Sequence, residues 1–93
     1  MVIRNLTSTR IHYRLSGGPT DMTFSEADLE PGEEDEWEPP VFSGTVACHV
    51  HFAIAEGREE GLKAPEGPWV GHATSDFTVS LIQDGETKRI RVG

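Results

Sequence analysis

The chain reads as an all-β protein: a small antiparallel β-sandwich, or an open barrel, of five to seven strands with a C-terminal β-hairpin. Three observations lead there. In residues 45–55, T-V-A-C-H-V-H-F-A-I-A, the apolar side chains Val46, Cys48, Val50, Phe52 and Ile54 occupy every second position, the period of a strand. Asp84-Gly85 lies between two further alternating runs and is the strongest short hairpin signal. No stretch sustains a helical period, and Gly and Pro punctuate the chain throughout. Ninety-three residues make one domain, 1–93, able to bury about two-thirds of the surface that its unfolded form exposes.

Taken in order, residues 2–15 are expected to form a hairpin, with Ser8 and Thr9 at its tip or, since that pair is not the Asn-Gly type that hairpins prefer, with a longer loop there. The two-residue tip sets Leu6 opposite Ile11, Arg4 opposite Tyr13 and Val2 opposite Leu15, with Arg10, His12 and Arg14 on the other face. Residues 16–21, S-G-G-P-T-D, are a loop by composition. A short strand follows over 22–24, and residues 25–29 hold at most one helical turn. Pro31-Gly32 is the central pair of a type II turn. Eight of the thirteen residues in 26–38 are acidic, and Trp37 anchors that run to the body. Pro39-Pro40 delivers an extended chain to the central strand. Residues 56–71 read as one long loop around Leu62 and Trp69, of a length usually associated with function or mobility. The closing hairpin, centred on Asp84-Gly85, pairs Phe77 with Val92, Val79 with Ile90 and Leu81 with Lys88.

Charge narrows the function. Sixteen acids against eight bases give a net charge of −8, which opposes binding to nucleic acid or anionic lipid and favours a basic protein partner. The lone cysteine, Cys48, permits no intrachain disulfide and points to a reducing compartment. No run approaches a membrane span, and the first residues lack the apolar core of a secretory signal, so a cytoplasmic location is the expectation. There is no G-x-S-x-G, no glycine-rich phosphate loop and no Ser, His and carboxylate in a familiar order.

Chemistry is hinted at only by His49 and His51, which share one face of the central strand with small residues. Two imidazoles two residues apart on a strand can ligate one metal. Gly44, His49, His51, Glu56 and Gly61, with Pro65, Gly67 and His72 further on, resemble the two motifs of the cupin family. That resemblance implies a site of His49, His51, Glu56 and His72 holding zinc, nickel or iron. Gly44 stands one residue closer than in the family pattern, Gly61 two early and His72 two late, and the strands that separate the two motifs are missing. Asn5, Thr7, Ile11, Tyr13, Leu29, Pro31, Gly32, Trp37 and Gly44 also resemble the opening of actinoporin and aegerolysin sandwiches, which implies a sandwich fold.

The principal expectation is a non-catalytic module without cofactor that binds or inhibits a basic protein. Glu33, Glu34, Asp35, Glu36 and Trp37, with Trp69, would form its contact surface. The alternative is the cupin-like metal site. A homodimer with His49 and His51 packed across a two-fold axis is a third expectation.

Overall fold

The computed structural model describes residues 1–38, 46–54, 62–63, 67–70, 77–85 and 87–93, with the backbone alone at 54, 62–63 and 67–70. Within them the regular structure is all strand. In chain order the strands are β1 (Val2–Leu6), β2 (Ile11–Gly17), β3 (Met22–Leu29), β4 (Glu34–Glu36), β5 (Val46–Ile54), β6 (Leu62–Lys63), β7 (Gly67–Val70), β8 (Thr78–Asp84) and β9 (Thr87–Val92). Seven of these nine have four residues or more. They form two sheets, ordered β4-β1-β8-β9 and β3-β2-β5-β6, with β7 pairing β5 beside β6. All ladders are antiparallel except β1 with β8. The protein is therefore a small β-sandwich.

The core lies between the sheets and is built from alternate positions. Ile11, Tyr13 and Leu15 of β2, Cys48, Val50 and Phe52 of β5, and Val79 and Leu81 of β8 are all buried. In β2 and β5 this is the inward face expected from the period of two, and register locks it, since a slip by one residue would expose every member. Cys48 is a small buried hydrophobe in this row.

The N-terminal hairpin does not form. The first two strands belong to opposite sheets: β1 runs parallel to β8, with Ile3 opposite Val79, and antiparallel to β4, while β2 lies between β3 and β5. The inward row of β1 is Met1, Ile3, Asn5 and Thr7, and Leu6 is 41% exposed. The physical reason is Asn5. Its Nδ2 donates to Thr9 O and Leu29 O, both at 2.9 Å, and its Oδ1 accepts from Thr7 N at 2.9 Å. This buried amide curls residues 7–10 into an arch that crosses from one sheet to the other.

Three further differences have local causes. The C-terminal hairpin exists, but Asp84 belongs to the ladder, paired with Thr87, and Gly85 with φ +65° begins the turn after that pair. Each pair consequently moves by two, to Val79 with Val92 and Leu81 with Ile90, which removes the apolar-to-lysine pairing and keeps both faces intact. Residues 25–29 continue β3 rather than turning helical, because β2 supplies their ladder. The long segment after β5 carries β6 and β7, both paired to β5. The turn at Pro31-Gly32 stands as read: Gly32 has φ +82° and Glu33 N donates to Glu30 O at 2.9 Å.

Candidate functional site

His49 and His51 sit on the outer face of the β3-β2-β5-β6 sheet, half-buried, with Ser16 and Arg14 of β2 directly opposite them. His49 Nε2 lies 3.1 Å from Ser16 Oγ and 3.7 Å from Asp21 Oδ1. The three residue types of a nucleophilic relay thus meet, but not as a relay. A relay needs the carboxylate on one ring nitrogen and the hydroxyl on the other, and here both oxygens address Nε2. Ser16 is also fully buried, out of reach of a substrate. Sequence reasoning missed this cluster, since only the pairing of β2 with β5 reveals it.

For a metal, the neighbourhood of His51 is electrostatically adverse. Arg14 is its register partner on one side and Lys63 on the other, so the strands flanking the imidazole are both basic at that position. Among the described residues no three His, Cys, Asp or Glu side chains are close enough to share an ion. Glu56 and His72 lie outside the described residues.

The acidic run divides into committed and presented charges. On the outer face of β2 and β3, Asp28 and Glu30 meet Arg10 at 3.0 and 3.2 Å, and His12 is held between Asp28 Oδ1 at 2.7 Å and Glu26 Oε2 at 3.3 Å. Glu34 meets Arg4 at 2.8 Å across β4 and β1. These pairs are exposed and each is worth about 0–1 kcal/mol, but they neutralise much of the run.

Asp35 points inward, opposite Ile3, and accepts a short hydrogen bond from the Tyr13 hydroxyl, which also lies 2.8 Å from Ser25 Oγ. Burial first, and then the bond to Asp35, push the Tyr13 phenol up to about 12. This contact joins the two sheets. Trp37 is half-buried, its ring tilted 35° against that of Phe24 on the opposite sheet with centroids 5.7 Å apart, and its backbone N–H donates to Met1 O at 2.8 Å. Asp35 and Trp37 therefore hold β4 in place, while Glu33, Glu34 and Glu36 are exposed along it. The side chain of Trp69, in β7, lies outside the description.

An apolar cleft of about 420 Å³ opens beside the turn after β2, lined by Gly17, Gly18, Pro19, Thr20, Met22, Phe24 and Val46. Its lining offers shape for an apolar group but almost no directional polar contact.

Fold and surface together define a small all-β domain that, among the described residues, has charged outermost strands and no assembled catalytic relay. Comparison with protein-family models, with curated proteins and with solved structures returns no match. Among the described residues no helix is long and apolar enough to cross a membrane.

Proposed function

We propose that this chain is a non-catalytic binding module that engages a basic protein, as a partner or as an inhibitor, through the acidic edge at β4. The supporting observation is the construction of that edge. Strand β4 ends its sheet with β1 as its one neighbour among the described residues. Asp35 and Trp37 fasten it from within, so it holds its shape without a partner. Glu33 and Glu36 remain outward, with Glu34 exposed beside them although it also meets Arg4, along a strand edge able to accept another strand.

A suitable probe is a synthetic peptide alternating lysine with valine, which can form a strand and supply cations. The expected result is binding that weakens as salt rises, with amide protection gained at β4. The double substitution Glu34→Gln and Glu36→Gln should weaken binding and flatten its salt dependence. Unchanged affinity in that variant, or protection appearing only on other strands, would overturn the reading.

A further inference from the structure

The four-stranded sheet is electrically polarised from edge to edge. At one end β4 carries Glu34 and Glu36, of which Glu34 also meets Arg4 at 2.8 Å in an exposed, weak pair. At the other, β9 carries Lys88, Arg89 and Arg91, three of the eight Lys and Arg residues in the chain. Among the described residues β8 is the one strand paired to β9, so β9, like β4, ends the sheet as described. Its basic groups are only loosely held: the contact of Arg89 with Asp84 is 4.0 Å long, between side chains 65% and 75% exposed.

Directions and faces match as well as charges. Strand β4 is antiparallel to β1, β1 is parallel to β8, and β8 is antiparallel to β9, so β4 and β9 run the same way. Glu34 and Glu36 lie opposite Arg4 and Val2, on the outer face of the sheet. Arg91 and Arg89 lie opposite Ser80 and Ile82, which share that face because Ser80 and Ile82 are themselves opposite Arg4 and Leu6. Both charged pairs are spaced by two residues, the repeat of one strand face.

From this we infer that the edge β9 of one copy docks on the edge β4 of a second copy. The sheet then continues across the contact in parallel, with Arg89 beside Glu34 and Arg91 beside Glu36. The inference rests on the reading of β4 as a docking edge and names the basic edge β9 of a second copy, rather than a protein that is basic overall, as what that edge meets. Like edges repel, β4 on β4 through carboxylates and β9 on β9 through guanidinium groups, so a two-fold dimer through either is disfavoured. The contact is head-to-tail, and such contacts propagate unless they close into a ring. With only three residues in β4 the contact is small, and it should be weak and concentration-dependent.

The test uses the full chain and sedimentation or light scattering over a range of concentration and salt. Mass should rise with concentration at low salt and fall back as salt is added. The variant Glu34→Lys/Glu36→Lys and the variant Arg89→Glu/Arg91→Glu should each associate about ten-fold or more weakly, since each sets like charges against each other. Mixing the two restores complementary edges, and association should return. The quadruple variant, with both edges reversed, should also self-associate, and unchanged circular dichroism would show that all four chains are folded. A wild-type chain that stays monomeric at millimolar concentration and low salt overturns the inference. So does a mixture of the two reversed variants that fails to associate. If the chain is monomeric while the lysine-valine peptide still binds β4, the self-pairing falls and the binding-module reading stands; loss of both removes both.

Discussion

Replacing Asn5 by alanine tests the account of the fold at its most demanding point. The side chain is fully buried, and its amide holds together three segments: β1, the arch over residues 7–10 and the end of β3. In Asn5→Ala the partly exposed Thr9 O can be rehydrated, but Leu29 O and Thr7 N–H lose partners in buried surroundings. Leaving a buried polar group unsatisfied costs about 1–3 kcal/mol, so two amount to roughly 2–6 kcal/mol. A domain of this size is stable by only about 5–14 kcal/mol. Urea unfolding should therefore show a large fall in the midpoint with an unchanged slope, the mark of lost stability rather than a changed unfolding surface. Asn5→Asp keeps an acceptor but turns a carboxylate toward two carbonyl oxygens, and at neutral pH it should be no more stable than the alanine variant. A loss below about 1 kcal/mol for Asn5→Ala would refute the claim that this amide sets the crossover between the sheets.

Two other perturbations follow from the same geometry. The chain has a single tyrosine, so phenolate absorbance reads Tyr13 alone. Its phenol is raised to about 12, so the folded state favours the neutral form: that contribution to stability is complete below the ordinary phenol value near 10 and is lost as pH climbs through 12. The titration midpoint should fall toward the ordinary value in Asp35→Asn, and a phenol that already titrates near 10 in the wild type would contradict the cross-sheet contact. At Gly17 an added Cβ would clash with Ala47 O and approach Cys48 Cβ to 2.6 Å, with backbone on the other strand unable to yield cheaply. Gly17→Ala should cost about 1–3 kcal/mol and lower the melting temperature by at least roughly 4 °C; a neutral result would mean that β2 and β5 approach less closely.

Legibility in the sequence followed the range of the interaction. The inward row of β5 was readable because Val46, Cys48, Val50 and Phe52 alternate with polar or small residues, and one strand face needs nothing beyond itself to declare its side. The turn at Pro31-Gly32 was readable for the same reason, since four consecutive residues contain its whole geometry. The pairing of β1 was not. Asn5 is a polar residue in an inward row, and its burial is tolerable only because Thr7, Thr9 and Leu29 meet it, one of them 24 residues away. The acidic run shows the limit for function. As a string, residues 26–38 carry only negative charges, but Asp35 faces the core, Glu26, Asp28 and Glu30 face Arg10 and His12, and Glu34 meets Arg4, which leaves Glu33 and Glu36 beside that weak pair as the surface to test.

Alternation by itself determined that the chain is built of strands, that Cys48, Val50 and Phe52 share the core face with His49 and His51 on the other side, and that a tight turn near Gly85 joins the last two strands. Tertiary structure alone decided that β1 lies beside β8, that Leu81 faces Ile90, and that Ser16 comes to rest against His49. The reason is that a period of two specifies a side for each residue but no neighbour. Neighbours are chosen by hydrogen-bond satisfaction and packing between segments far apart along the chain.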